Sequence, residues 1–282
     1  MVGIIPIICL YALTLASMQR IDGQVQAFGF NSQQFAPSIA MRSRLKSNSQ
    51  LCMKYKKVFV AGGSRGVGRH IVDKLVANGS EVVALVRDDA SVKELTSISG
   101  VSAIQGDAFD YKAVEGAMDG CDAAITTLGK GNVAPGEKRV DYEGNSNVIE
   151  AAGILGVTRL VLVTSVGCGS SKQAVPESVL EVLKDTLAAK ERAENLLIKY
   201  YTNMNWTIIR PAGLKSEPAT GNAILTEDCM AVGVIHREDV ADLVVRTLES
   251  PFAERKVLTA VDPTIASALN ADGRKVDEFV LV

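Results

Sequence analysis

Residues 57–68 read Lys-Val-Phe-Val-Ala-Gly-Gly-Ser-Arg-Gly-Val-Gly, and this stretch most limits what the chain can fold into. Val58, Phe59, Val60 and Ala61 form a short apolar run of the kind a parallel strand buried on both faces shows. Gly62, Gly66 and Gly68 follow with the spacing G-x-x-x-G-x-G. Val67, Ile71, Val72, Leu75 and Val76 then share one helical stripe, and Gly79 closes it as a C-cap. A second apolar strand follows over Glu81–Val86. A glycine pattern alone is a weak signal. Between a strand and a helix, with a further strand behind it, it has the context a phosphate-binding turn requires. Gly62 permits the sharp turn, Gly66 lets the backbone approach a pyrophosphate, and Gly68 lets helix and strand pack closely. The helix N-terminus adds free N–H groups and the positive end of its dipole. The expectation is a dinucleotide-binding corner.

The tip of the second strand selects between cofactors. An acidic residue there would accept from the ribose 2′-hydroxyl of NAD(H), whereas an arginine suits a 2′-phosphate. This chain has Arg87 there and Arg65 in the glycine turn. Two guanidiniums can clamp a phosphate dianion through charge-assisted bidentate bonds. The reading is NADP(H) in preference to NAD(H), with a pair of solvated surface arginines as the plain alternative. Asp88 and Asp89 lie past the tip and are expected to start the next helix.

The remaining alternation is regular. Short helices are expected at 91–97 and 111–118, and strands at 101–105, 121–127, 159–164 and 205–210. Longer helices are expected at 140–155 and 177–201, and a glycine- and proline-bearing loop at 129–136 over the cofactor site. With every crossover helical, this is an α/β chain with a doubly wound parallel sheet. A small C-terminal substrate lobe is expected at 214–265, closing a nucleotide domain that begins at 55, and 266–282 is read as a tail. The helix 240–248 follows His236-Arg237-Glu238-Asp239, which reads as a cap docking the lobe, with catalysis by His236 as the lesser reading.

Composition excludes several classes. The chain has 282 residues, 47% of them hydrophobic, enough for one large domain and a leader. A net charge of −2 gives no basic surface for nucleic acid. The five cysteines form no C-x-x-C pair, and two histidines are too few to suggest a metal site, so no metal is expected.

The first fifty residues differ. Ile4–Ala16 is apolar but too short to span a bilayer comfortably, and it lacks a basic n-region. Val25-Gln26-Ala27 places small residues for cleavage before Phe28. From Phe28 to Gln50 there is no Asp or Glu, and Arg42, Arg44 and Lys46 lie among serines. This is transit-peptide composition. Two labels in tandem resemble the bipartite presequences of algae with complex plastids, in which an Ala-Phe pair like Ala27-Phe28 marks the junction. The resemblance implies a leader over 1–50 and a plastid protein, in the stroma or on the thylakoid surface, reached through the ER. A secreted or ER protein is the alternative.

Spaced motifs carry a second resemblance. They are residues 61–68, Ala84-Leu85-Val86-Arg87-Asp88, Gly106-Asp107, Val140–Asn147, Leu162–Gly167, Trp206–Gly213 and Ile235–Ala241. From about Lys56 to Val261 the chain resembles the short-chain dehydrogenase/reductase superfamily in its atypical NAD(P)H-binding (NmrA-like) branch. The resemblance implies a Rossmann fold. It implies that the turn of Gly62, Gly63, Ser64, Arg65, Gly66 and Val67 wraps the pyrophosphate, with Arg65 and Arg87 on the 2′-phosphate, and that Asp107 and Ala108 meet the adenine. Thr127, Leu128 and Gly129 would line the ribose path. Thr164 and Ser165 would stand beside the nicotinamide. Lys190 would hold the nicotinamide ribose hydroxyls, and Pro211, Ala212 and Gly213 would back the carboxamide.

One part of the chemistry is missing. Standard reductases of the superfamily use a Tyr-x-x-x-Lys pair on one helix face, the lysine lowering the tyrosine pKa so that the phenol passes a proton. A serine polarises the same substrate oxygen. Here Ser165 and Lys190 are present, but the pair reads Thr186-x-x-x-Lys190. An aliphatic hydroxyl is too weak an acid to replace a phenol. Thr186 could position a water, and Tyr142 is the nearest candidate acid by sequence. Three outcomes follow: hydride transfer with a solvent proton, another donor, or NADP(H) binding without turnover. The chain therefore reads as a plastid oxidoreductase of a small or planar substrate, or as a nucleotide-sensing assembly or regulatory factor of the photosynthetic machinery. A methyltransferase with a similar glycine turn is disfavoured by Arg87.

Overall fold

The computed structural model describes residues 54–129, 133–134, 136–265 and 276–281. The leader expected over 1–50, most of the tail, and four residues of the 129–136 loop lie outside them.

The alternation builds one sheet. Strands β1 (Lys57–Ala61), β2 (Glu81–Val86), β3 (Val101–Gln105), β4 (Ala123–Thr126), β5 (Arg159–Val163) and β6 (Asn205–Pro211) run parallel in the order β3-β2-β1-β4-β5-β6. The order reverses between β1 and β4, which is where an open α/β sheet leaves a crevice at its carboxyl edge. Successive residues of β1 serve opposite faces: Val58 and Val60 join one core, Phe59 and Ala61 the other. The first core holds α1 (Gly66–Ala77), α2 (Asp89–Thr96) and α6 (Arg237–Glu249) against the sheet through Ile71, Leu75, Leu95, Val240 and Val244. The second holds α3 (Tyr111–Met118), α4 (Glu143–Ile154) and α5 (Glu177–Tyr200) through Val114, Met118, Val148, Ala193 and Leu197.

Differences from the sequence reading sit at ends and edges. The helix expected from Val140 starts at Glu143, because Arg139–Tyr142 forms a turn whose carbonyl at Arg139 accepts from the N–H groups of Tyr142 and Glu143. Helix α6 starts at Arg237 rather than Val240, with Glu238 and Asp239 in its first turn. The segment read as a lobe also gives two strands to the main sheet. β10 (Lys256–Val261) pairs parallel with β6, and β8 (Ile224–Thr226) pairs antiparallel with β10, so the sheet is parallel except at this edge. β7 (Gly213–Lys215) and β9 (Val234–His236) form a separate two-stranded ribbon.

Arg159 is wholly buried at the start of β5. Its guanidinium donates to the carbonyls of Asn205 (2.8 Å), Thr247 (2.6 Å) and Leu248 (3.1 Å) and to the Thr207 hydroxyl. Burial pulls its pKa down to about 10. It ties β5, β6 and the end of α6 together, away from the strand tips.

Candidate functional site

A cavity of about 560 Å³ runs along the carboxyl edge from the tip of β3 to the tip of β6. Its floor is the glycine turn. An added Cβ on Gly68 would stand 2.0 Å from the Gly62 carbonyl oxygen, so only glycine lets α1 sit this close to β1. Gly62 (φ +85°) and Gly66 (φ +57°) occupy the left-handed region that glycine adopts without steric cost. The N-terminus of α1 has no side-chain cap and no acid in its first turn, whereas α2 and α3 are capped by Asp88 and Asp110. Uncapped donors facing a cavity suit an anion.

Most sequence-predicted residues line this cavity. Gly62, Ser64, Arg65, Gly66, Val67 and Gly68 do so at the turn, with Arg87 at the tip of β2. Asp88 is occupied: its carboxylate accepts from the Ser91 N–H and hydroxyl at 2.9 Å, bonds that hold its pKa below the usual value. Arg87 is therefore the charged group that the β2 tip offers to the cavity. Asp107 and Ala108 line the β3 end. Thr127, Leu128 and Gly129 line the middle. Thr164, Ser165, Thr186, Lys190 and Pro211 line the far end.

Four residues stand elsewhere. Ala212 is buried and donates its N–H to the Ala260 carbonyl at 2.9 Å. Gly63 is buried beneath the turn, where an added Cβ would meet Val72 at 3.0 Å. Gly213 lies in β7 and donates to the Gly233 carbonyl at 3.0 Å. Tyr142 lines a second cavity with Arg139, Glu143 and Asp185, and the Arg192 guanidinium lies 3.6 Å from its ring centroid. Tyr142 is thus not brought together with Ser165 and Lys190.

The far end is held by buried charges. Lys190 Nζ lies 3.4 Å from Asp141, which is fully buried, and donates to the Leu128 carbonyl at 3.2 Å. An added Cβ on Gly129 would be 3.1 Å from Lys190 Nζ. Arg139 donates to the Thr186 hydroxyl at 2.5 Å and stands 4.0 Å from Asp141. Behind Thr164 is a second pair. The Thr164 hydroxyl donates to Glu194 at 2.6 Å, and Glu194 accepts from Arg210 at 2.6 and 3.1 Å. Burial alone would lower the Arg210 pKa, but its bonds to Glu194 outweigh this and raise it. Leu183 and Leu214 (38% and 41% exposed) line the same end with buried Leu187, so its mouth is apolar.

Asp141, Arg139, Glu194 and Arg237 carry geometry that the sequence reading did not assign. Glu194 had a signal, being four residues after Lys190 on the stripe that includes Leu187 and Leu197. The cysteines follow the plain reading where described: burial raises the Cys121 thiol to about 11 and Cys168 to about 12. His236 is outside the cavity lining. Its Nδ1 is 3.7 Å from Asp239, which accepts from the N–H groups of Thr220 and Gly221 and so clasps that segment to α6.

Sheet order, glycine turn and edge cavity together define a nucleotide-binding α/β protein. The chain belongs to the NAD(P)H-binding family, whose model matches residues 62–251. An uncharacterised sugar epimerase of Bacillus subtilis is 31% identical over 76% of this chain and 98% of its own length. An uncharacterised chloroplastic protein of Arabidopsis thaliana is 34% identical over 77% of this chain and 80% of its own. Protein TIC 62 of pea (Pisum sativum), also chloroplastic, is 28% identical over 76% of this chain, which spans 44% of that relative. Among solved structures, ChuY, an anaerobillin reductase from Escherichia coli O157:H7, superposes with a TM-score of 0.67. It is 28% identical, with 75% of this chain and all of that one covered.

Proposed function

We propose that the protein is a plastid oxidoreductase that binds NADP(H) in the edge cavity and reduces a small or planar apolar substrate. One observation carries this reading: the same cavity has Arg65 and Arg87 at one end and Ser165, Lys190 and three leucines at the other. A bound nicotinamide would supply the hydride. Arg65 and Arg87 would grip the 2′-phosphate, and the amides at the start of α1 the pyrophosphate. Lys190, fixed by Asp141 and the Leu128 carbonyl, would hold ribose hydroxyls. Ser165 would hydrogen-bond the substrate oxygen, once its hydroxyl turns from the Val166 carbonyl that it contacts at 2.9 Å. Leu183, Leu187 and Leu214 would cover the substrate's apolar face. The proton would come from solvent, since Thr186 is no phenol. NADP(H) is preferred to NAD(H) on the arginines alone.

Chloroplastic relatives and the composition of residues 28–50 support the plastid. The route through the ER rests on the tandem form of the leader. The similarity to a reductase of known structure supports the reaction class.

A second reading keeps the nucleotide and drops turnover: an NADP(H)-sensing assembly or regulatory factor of the photosynthetic machinery, which could sit peripherally on thylakoids. It is favoured by the position of Tyr142 outside the cavity and by Thr186 being held by Arg139. Similarity to a TIC protein is compatible with it.

The test is the full chain with NADPH and a panel of quinones, enones and porphyrin precursors. Oxidation of NADPH with any of them supports the enzyme. Tight NADPH binding with no turnover supports the second reading. Co-purification from plastid membranes that changes with the NADPH/NADP ratio would then identify the partners.

A further inference from the structure

Arg237 opens helix α6, yet its side chain lines the nucleotide cavity opposite the glycine turn. A Cβ added to Gly66 would lie 3.7 Å from Arg237 Cδ and 3.8 Å from its Nε. The guanidinium stem therefore lies over Gly66. The residue is half-buried, and its one side-chain hydrogen bond among the described residues, an exposed one, goes to the Ser216 hydroxyl at 2.6 Å. Among those residues it forms no ion pair. The acids beside it in α6 are engaged elsewhere. Glu238 and Asp242 face Lys74 at 3.9 and 3.7 Å, and Asp239 accepts from Thr220 and Gly221.

Several cations that are buried or half-buried are paired differently. Lys74, Arg69, Lys190 and Arg210 each stand against a carboxylate. A guanidinium has five donors in a planar fork and is always charged. With one neutral partner, most of the Arg237 donors are left to bind an anion in the cavity. The space beneath Arg237 is where an anion is otherwise favoured, at the uncapped, acid-free N-terminus of α1. Arg65 and Arg87 belong to the turn and the β2 tip, whereas Arg237 comes from α6, over Gly66.

We infer that Arg237 is a ligand of the cofactor pyrophosphate, closing over it from α6 while Ser216 holds the plane of its guanidinium. The inference rests on the nucleotide-binding reading and extends it: Arg237 serves both NADPH and NADH, unlike Arg65 and Arg87, which would read the 2′-phosphate.

The experiment is calorimetric titration of the full chain and its Arg237→Gln variant with NADPH and with NADH. The expected result is a loss of about tenfold to a hundredfold in affinity for both nucleotides, by similar factors. Wild-type affinity in the variant would overturn the inference and leave the nucleotide-binding reading standing. Loss confined to NADPH would also overturn it, moving Arg237 to the 2′-phosphate. No binding by the wild-type chain would overturn the reading and the inference with it. Should the variant not fold, phenylglyoxal labelling of the wild-type chain decides. Protection of Arg237 by both nucleotides is expected, and equal labelling with and without them would overturn the inference.

Discussion

The Arg139 guanidinium donates to the Thr186 hydroxyl at 2.5 Å, one helical turn before Lys190. A guanidinium can only donate, so the Thr186 oxygen accepts on that side and its own proton is free to face the cavity. This fixes Thr186 as a weak, oriented donor rather than an acid. We expect Thr186→Val to lower NADPH oxidation by less than about tenfold. A general acid would cost about 10²–10⁴-fold. A loss in that upper range, with a pH–rate limb that disappears in the variant, would make Thr186 the proton donor.

Arg65 in the glycine turn and Arg87 at the β2 tip both line the cavity. The double change Arg65→Ala with Arg87→Asp is expected to weaken NADPH by about a hundredfold or more and NADH by less than about threefold, on the strength of charge-assisted phosphate bonds. Competition titration with both nucleotides reads this directly. Equal losses would show that these arginines do not read the phosphate.

Gly68→Ala forces a methyl group to 2.0 Å from the Gly62 carbonyl oxygen. We expect about 2–3 kcal/mol of destabilisation in urea unfolding, the cost of overpacking a rigid corner, together with loss of nucleotide binding. Gly116 lies inside α3 with nothing within 4 Å of an added Cβ. Gly116→Ala is expected to stabilise by about 0.5–1 kcal/mol.

Glu194 and Arg210 form a buried pair behind Thr164. Removing one partner strands the other charge, so Glu194→Leu and Arg210→Met are each expected to cost about 3–5 kcal/mol. The double variant Glu194→Leu/Arg210→Met should cost less than the sum of the two single changes. Additive losses in denaturant titration would mean that the two residues act independently.

Asp262 is fully buried and accepts from the Thr220 hydroxyl and from the Thr264 N–H and hydroxyl. Burial would raise its pKa, but these bonds outweigh it and hold the folded value below the ordinary one. The unfolded chain thus takes up the proton first on acidification. The stabilisation by Asp262 is complete above about pH 4 and is lost as pH falls through the folded value. Urea midpoints should therefore separate wild type from Asp262→Asn most at neutral pH and begin to converge below about pH 4.

The glycine turn, the six parallel strands and most of the cavity lining were legible because each is carried by local spacing. Gly62 to Gly68 announces the turn, and the tips Arg87, Asp107, Thr164 and Pro211 follow from where strands stop. What was not legible depends on contacts between distant segments. Arg139 reaches Thr186 only because α5 packs beside the turn that precedes α4, and Arg237 reaches Gly66 only because α1 and α6 lie on one face. β10 joins β6 across the length of α6, a pairing no local pattern announces. Tyr142 was close to the site by motif but is turned to the other cavity by the Arg139–Tyr142 turn.

The central claim is that a phosphorylated pyridine dinucleotide lies along the carboxyl edge, from Asp107 to Pro211. Isothermal titration of the full chain with NADPH, and then with NADH, tests it most directly. One site per chain with NADPH favoured is the result expected. Absence of heat with either nucleotide, in protein shown to be folded, would contradict it.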